Sequence, residues 1–211
     1  MRPKSQVFWV YIASFKANLE RALRLSPRLI NGHTGRDYFT ARQAGSFFRE
    51  TIECTQETGV AITHETHRAR ILFAAHISQP FLQAYPQLRL TLDISHWCNV
   101  ASSLLENQPA AVNLALAHSD HVHARVGFAH GPQVNDPRAP EWRTAFNAHV
   151  AWWHAIVDIK RRTTGRLTMT TEFGPFPYMP SLPYTQQAVG NQWDINRYMM
   201  KFWRQRYTPG N

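Results

Sequence analysis

Short apolar runs alternate along the chain with longer segments of helical periodicity. Apolar side chains recur every three or four positions over residues 7–25, which predicts an amphipathic helix that Pro27 ends. Shorter apolar runs that end in polar residues predict five strands, at residues 28–35 (continuing into a glycine-rich loop), 60–65, 88–93, 121–126 and 167–172. We expect a loop at residues 94–97, and a helix after each strand, over residues 40–58, 79–85, 100–119, 141–161 and 187–207.

Repeated strand, loop and helix units predict a parallel sheet with helical crossovers, and therefore an α/β fold. The polar residues at the predicted strand ends lie 32, 28, 30 and 49 positions apart; they are His33, Glu65, Asp93, His123 and Glu172. Spacings near 30 match one unit of a (β/α)₈ barrel of roughly 250 residues, and a long loop accounts for the last one. We predict one domain over residues 1–211, built as a partial (β/α)₈ TIM barrel with five βα units.

Composition narrows the class of protein. The chain is 44% hydrophobic and 12% aromatic, which is enough for a sizeable core. No apolar stretch reaches the roughly 18–20 residues of a membrane span, and no signal-peptide pattern opens the chain, so we expect a cytoplasmic protein without membrane contact. Two widely separated cysteines, Cys54 and Cys98, argue against a thiolate site.

The formal net charge of +9 and the pI near 10.1 raise the question of nucleic acid binding. The basic residues are dispersed, and the densest groups fall late in predicted helices, where cations favour the helix dipole. A solvated basic surface is therefore the favoured interpretation, and nucleic acid binding is not expected.

One predicted strand carries unusual polar residues. His121, His123 and Arg125 alternate with small or apolar residues, so their side chains point to the same face. Such a face is either a solvated edge strand or a polar site whose members satisfy one another. Carboxylates at neighbouring strand ends decide between these readings.

Glu65, Asp93, His123 and Glu172 supply such carboxylates and an imidazole. They end four successive predicted strands, and the carboxyl ends of parallel strands carry the chemistry of these folds. Three carboxylates brought together repel one another unless a cation compensates them. Mixed oxygen and imidazole ligands suit Mn²⁺, Mg²⁺, Co²⁺ or Zn²⁺, so we predict a divalent metal site.

Several segments together resemble the sugar phosphate isomerase/epimerase family of the xylose isomerase-like TIM barrels. The resemblance covers nearly the whole chain and is carried by HETHR (64–68), TLDISHW (91–97), HVHARVG (121–127), GPQV (131–134), DPRAPEW (136–142) and TEFGP (171–175). By this resemblance the same four residues are the metal ligands. Glu65 and Glu172 would exchange a proton with substrate carbon on opposite faces, through an enediolate.

The resemblance also implies how a carbohydrate substrate would be held. His96 and Arg125 match positions that approach the substrate, and Arg125 could bind an oxyanion or a phosphate. His33 and His67 are weaker candidates for the pocket wall, and His121 is expected to support the site. A sugar, a sugar phosphate, a keto acid or an inositol derivative would all be compatible substrates.

The departure from the family is the number of strands. A closed barrel needs eight, so the first three units, on the order of 90 residues, are expected to be missing. The chain would be a fragment or a misread start of a full enzyme, a homo-oligomer in which another chain completes the barrel, or a remnant. We expect the first, with isomerase or epimerase activity once the barrel is complete.

Two other functions stay open. An endonuclease IV-like phosphodiesterase belongs to the same superfamily, but its Asp-x-His pair is represented here by Asp136-Pro137-Arg138, without the histidine. A catalytically inactive module is the other alternative, because the predicted barrel is incomplete.

Overall fold

A computed structural model describes residues 4–163 and 165–207 of the protein. Within these residues the helices are α1 Lys4–Leu23, α2 Ala41–Thr58, α3 Ala75–Ala84, α4 Ile94–Ala101, α5 Pro109–His118, a 3₁₀ helix Pro140–Trp142, α6 Arg143–Thr163 and α7 Gln192–Tyr207. The strands are β1 Leu29–Gly32, β2 Ala61–Glu65, β3 Arg89–Leu92, β4 Ser119–His123 and β5 Thr168–Thr170. None of the helices in this part of the chain combines the length and the apolar character that a membrane crossing requires.

The strands form one parallel sheet in the order β1-β2-β3-β4-β5. Each strand pairs with the next one along the chain, and every parallel neighbour is reached through at least one helix. The sheet curls into a half barrel with helices alternating along the chain. The predicted α/β fold, with five parallel strands in chain order, is therefore confirmed.

The sheet presents an apolar face to the helices. Ile62, Leu90, Leu92 and Val122 alternate with polar residues along their strands and are at most 4% exposed. Leu90, Leu92 and Val122 belong to one core cluster with large side chains from the helices, among them Phe47, Phe48, Leu82, Leu116, Trp153 and Ile156. Burial of these side chains fixes the register of the strands, because a shift by one residue would turn them to the other face.

The opposite face of the sheet is polar and its side chains bond to one another between strands. Thr63 Oγ1 lies 2.8 Å from Thr91 Oγ1, which joins β2 to β3. The two ring nitrogens of His121 lie 2.7 Å and 3.1 Å from the hydroxyls of Thr168 and Thr170, which joins β4 to β5. His121 thus makes these hydrogen bonds to β5 and none to a predicted metal ligand.

Residues 94–119 correct two sequence predictions. Residues 94–97 form the first turn of α4, not a loop, because the Asp93 side chain accepts a hydrogen bond from Ser95 N–H and caps the helix. The helix predicted over residues 100–119 is interrupted after Ala101 by Ser102, which adopts a left-handed φ of 50°. Apolar residues continue through the break, among them the buried Leu105, so periodicity alone concealed it.

Other boundaries differ by a few residues. The helix predicted at residues 79–85 begins four positions earlier, at Ala75, and carries Pro80 inside it. The helix predicted from residue 187 begins at Gln192. The strand predicted at residues 121–126 begins at Ser119 and ends at His123, so Arg125 lies in the loop that follows.

A partly buried ion cluster lies at the amino end of β4, away from the strand-end residues. Arg89 donates from Nε and Nη2 to the two carboxylate oxygens of Asp120, each at 2.7 Å. Lys160, whose side chain is only 9% exposed, donates to the same carboxylate. Although burial alone would raise it, these two cations hold the pKa of Asp120 below its usual value.

We expect Asp120→Asn to lower the free energy of unfolding by roughly 2 kcal/mol, because Lys160 is left buried without an anion. Denaturant unfolding at neutral pH measures this loss. Asp158→Asn, which removes a more exposed carboxylate from α6, is the control and should change stability by less than about 0.5 kcal/mol. Equal losses in the two variants would contradict a specific role for the cluster.

Candidate metal centre

Four side chains from neighbouring strand ends converge at the carboxyl edge of the sheet. Glu65 is the last residue of β2, His123 is the last of β4, Asp93 follows β3 directly, and Glu172 lies two residues beyond β5. One ligand atom from each lies within 4.8 Å of the corresponding atoms of the other three. The four residues predicted from the sequence to bind a metal are therefore brought together.

His123 and Glu172 lie in close contact, but the two atoms are not aligned for a hydrogen bond. His123 Nδ1 lies 2.6 Å from Glu172 Oε2 and 3.7 Å from Glu65 Oε2. Both His123 Nδ1 and Glu172 Oε2 are buried, and neither has a hydrogen-bond partner of acceptable geometry within residues 4–163 and 165–207. Buried polar atoms normally have partners, and one cation coordinated by both atoms, with a small outward movement of each, would supply them. The donor set therefore fits a divalent metal ion.

Asp93 is fully buried and held from two sides. Its carboxylate accepts hydrogen bonds from Arg125 Nη2 and from the Ser95 hydroxyl. Its backbone N–H donates to Thr66 Oγ1 at 2.9 Å, and the same hydroxyl donates to the Asp93 carbonyl at 2.9 Å. These two hydrogen bonds hold Asp93, the residue after β3, against Thr66, the residue after β2.

The charges of the cluster do not balance among its own members. Arg125 contacts two of the three carboxylates: its Nη2 donates to Asp93 and lies 3.6 Å from Glu172 Oε2. Burial, reinforced by the negative charge of Asp93, raises the pKa of Glu172. Although burial alone would raise it, Arg125, His96 and His123 hold the pKa of Asp93 below its usual range. Two excess negative charges remain when all three carboxylates are ionised and the histidines are neutral, and a divalent cation would neutralise them.

The imidazole of His123 is also shifted by this charge. Burial alone would lower its pKa, but the carboxylates of Glu172, Asp93 and Glu65 outweigh burial and raise it. The attraction between His123 and Glu65 also shifts the pKa of Glu65, in the opposite direction. Burial would raise the pKa of Glu65, and the nearby His33 and His123 lower it.

Three imidazole rings form a row beside the cluster. The ring centroids of His33 and His67 are 4.5 Å apart, and those of His67 and His96 are 3.9 Å apart. Burial lowers the pKa of His96 to about 3, so this ring is neutral near pH 7. Its Nε2 lies 2.8 Å from Arg125 Nη2, which can only donate, so the His96 proton sits on Nδ1. That buried Nδ1–H has no hydrogen-bond acceptor in the described part of the chain and is free to donate to a ligand.

Arg125 contacts Asp93 and is buried from solvent. Its side chain is 3% exposed, and its guanidinium stacks 4.5 Å above the ring of Tyr178. Arg68 lies over the same ring at 5.4 Å. The predicted contact of Arg125 with a substrate anion stays a prediction. In the structure its guanidinium binds Asp93 and stacks on Tyr178.

Asn31 and Tyr178 adjoin the site although the sequence analysis did not single them out. Asn31 Nδ2 donates to Glu65 Oε2 at 3.0 Å from the polar face of β1, two residues before His33. Strand alternation from His33 would have found it. The Tyr178 hydroxyl lies 3.3 Å from Nε2 of His67, a residue 111 positions away, and no local pattern predicts that contact.

In the loop at residues 136–138, which corresponds to the nuclease motif, an aspartate and an arginine form an ion pair with each other. Arg138 donates to both carboxylate oxygens of Asp136, at 2.8 Å and 2.6 Å. The Asp136 carboxylate is thereby engaged by a cation of its own loop. This geometry gives no support to the endonuclease alternative.

Comparison with known proteins adds no family assignment to this geometry. No protein-family model matches the chain, and no curated protein matches it significantly. The resemblance to sugar phosphate isomerases and epimerases therefore stays a prediction from the motifs.

His149 on α6 supports the loop that carries Arg125. Its Nε2 accepts a hydrogen bond from Gly127 N–H at 3.2 Å, and its Nδ1 donates to the Ala145 carbonyl at 2.8 Å. Complete burial lowers the pKa of His149 to about 4. The ring is therefore neutral in the folded protein and takes up a proton in the unfolded chain below about pH 6.5.

We expect His149→Gln to weaken the acid sensitivity of the fold. In the parent protein the unfolded state binds the extra proton between about pH 6.5 and pH 4, so His149 makes unfolding easier by up to about 1.4 kcal/mol per pH unit as pH falls. Denaturant unfolding at several pH values measures the slope. Asn147→Gln, at an exposed position of the same helix, changes no titratable group and should leave the slope unchanged. Identical slopes for the parent and His149→Gln would refute this account.

Proposed function

We propose that the protein is a divalent-metal-dependent isomerase or epimerase that transfers a proton between adjacent carbons of a sugar, a sugar phosphate or a related polyol or keto compound. The observation that carries this proposal is the convergence of Glu65, Asp93, His123 and Glu172 at one edge of the sheet. We also propose that the half barrel belongs to the xylose isomerase-like TIM barrels, which the parallel strands in chain order support.

The four converging residues would hold the metal, which we expect to be Mn²⁺, Mg²⁺, Co²⁺ or Zn²⁺. A bound divalent cation would stabilise the negative charge that develops on a substrate oxygen when a neighbouring carbon loses its proton. Thr66 holds the Asp93 backbone and Ser95 holds Oδ1 of its carboxylate, so the residue is already directed toward the cluster, and a metal at Oδ2 would take the place of Arg125.

Glu65 and Glu172 would exchange protons with the substrate from opposite sides. Glu65 ends β2 and Glu172 follows β5, and these two strands flank the strands of Asp93 and His123. The raised pKa of Glu172 brings it closer to the pH at which a carboxyl group can both give and take a proton efficiently. The Nδ1–H of His96 would bind a substrate hydroxyl or carbonyl oxygen.

We expect the protein to bind Mn²⁺ and Glu172→Gln to weaken this binding at least tenfold, because one anionic ligand is lost. Titration calorimetry on metal-stripped protein measures both affinities. Glu141→Gln, which alters an exposed acid of the 3₁₀ helix, should bind Mn²⁺ as the parent does. Absence of Mn²⁺, Co²⁺ and Zn²⁺ binding by the parent would refute the metal-dependent function.

We expect the metal-loaded protein to exchange carbon-bound protons with solvent in at least one of D-fructose, D-xylulose and dihydroxyacetone phosphate. Proton NMR in D₂O would detect the loss of signal at the carbon beside the carbonyl. Glu172→Gln should slow this exchange about 10²-fold or more, the usual contribution of an acid–base group. Equal exchange rates in Glu172→Gln and the parent would exclude the role given to Glu172.

A further inference from the structure

A groove runs between α1 and α2, and none of the residues of the candidate metal centre lines it. It contains a cavity of about 450 Å³ that continues into one of about 210 Å³, because Ile12, Glu50 and Glu53 line both. The larger cavity is lined by apolar side chains from both helices: Ile12, Phe15, Leu19, Leu23 and Phe47. The α1–α2 groove therefore has an apolar floor.

Carboxylates form the rim of this groove. Glu20, Glu50, Glu53 and Glu57 line it together with one cation, Lys16. Lys16 is bonded to Glu50 at 2.5 Å, and the other three carboxylates form no ion pair with any residue of 4–163 or 165–207. Four of the 14 acidic residues of a chain with a net charge of +9 thus lie in one groove, which makes it an acidic region of a basic protein.

The position of Glu57 goes against the charge preference of its helix. α2 ends at Thr58, and its last turn contains Glu57 and no basic residue. The carboxyl end of a helix carries a partial negative charge, so an anion there is unfavourable unless a cation offsets it. The hydrogen bond to Glu50, together with the charges of Glu50, Glu53 and Glu57, raises the pKa of Lys16, so this one cation serves several anions. The rim therefore favours a further cation.

α7 carries the complementary charge. Trp193, Arg197, Lys201 and Arg204 are exposed and recur every three or four positions, so they form one stripe along the helix. Within the described residues Lys201 and Arg204 form no ion pair, and Arg197 reaches only Asp194, at 3.9 Å. The α7 stripe thus presents three cations and one large aromatic ring to solvent.

The groove and the stripe belong to opposite edges of the sheet. α1 and α2 flank β1, whereas α7 follows β5, so a contact between them has to form between chains. We propose that the α1–α2 groove of one chain binds the α7 stripe of a second copy of the chain.

The two surfaces match in length as well as in charge. The groove from Ile12 to Leu23 and the stripe from Trp193 to Arg204 each extend roughly 16 Å along a helix. The cationic groups of the stripe would lie against the rim carboxylates. Trp193 and the hydrocarbon stems of the basic side chains would contact the apolar floor.

Such a contact is small and depends mainly on charge. Ile12 and Leu19 are each 7% exposed and Phe47 is fully buried, so the floor adds little apolar area. Stable complexes usually bury about 800 Å² on each partner, and we therefore expect a dissociation constant on the order of 10 µM or weaker. Salt weakens a contact of this kind because it screens exposed charges.

The test is sedimentation equilibrium of the full-length protein between about 5 and 200 µM, in about 50 mM and 500 mM NaCl. In low salt we expect the average mass to rise above the 24.4 kDa of one chain as concentration increases, and in high salt to return toward it. A mass that stays at 24.4 kDa over the whole range in low salt would overturn the proposal.

Charge reversal identifies the two surfaces. Glu53→Lys places a cation in the rim and Lys201→Glu places an anion in the stripe, and each should weaken association at least tenfold. An equimolar mixture of the two variants should restore it, because the intact stripe of the first binds the intact groove of the second. Glu106→Lys makes the same charge change at an exposed position between α4 and α5 and should associate as the parent does. Circular dichroism verifies that each variant is folded.

Association that persists in Glu53→Lys or in Lys201→Glu, or that is not restored by mixing them, would overturn the pairing of groove and stripe. The contact involves no residue of the candidate metal centre, so Mn²⁺ binding should be the same in both variants and in the parent. Failure of the association would therefore leave the proposed function standing.

Discussion

The cluster of carboxylates at the carboxyl edge of the sheet is the constraint on which the rest of the structure depends. Glu65, Asp93 and Glu172 come from the ends of separate strands and lie close together, and Arg125 contacts Asp93 and Glu172. Like charges at this distance repel, and desolvation strengthens the repulsion. The raised pKa of Glu172 and of His123 records this imbalance. A bound divalent cation would resolve it and would at the same time supply the chemistry that we propose.

The scaffold keeps these charges in place through apolar packing on one side and hydrogen bonds on the other. Core residues such as Leu90 and Val122 set the strand register, and the register sets which residues reach the carboxyl edge. Hydrogen bonds between Thr63 and Thr91, and between His121 and Thr168, join the strands on the polar face. The site is therefore built on paired strands, and its outer parts, His33 and Tyr178, come from loops.

Sequence analysis predicted the parts of this architecture that depend on local periodicity. Strand runs that end in polar residues located Glu65, Asp93, His123 and Glu172, because parallel strands must align their carboxyl ends. The early start of α4 was not predicted, since Asp93 both follows a strand and caps a helix. The break between α4 and α5 was not predicted either, because apolar residues, among them the buried Leu105, continue through the gap. Tyr178 was not predicted as part of the site, because its hydrogen bond with His67 joins residues that are 111 positions apart. The contacts of Glu65 with Asn31 and His33 depend on where its two oxygens point, which no sequence pattern encodes.

The central claim is that Glu65, Asp93, His123 and Glu172 bind one divalent cation. Anomalous X-ray diffraction at the manganese edge, on crystals of Mn²⁺-loaded protein, tests it most directly. The account predicts a manganese peak within about 2.0–2.4 Å of an atom from each of these four residues. A map without such a peak, with Arg125 still bonded to Asp93 and His123 still against Glu172, would contradict it.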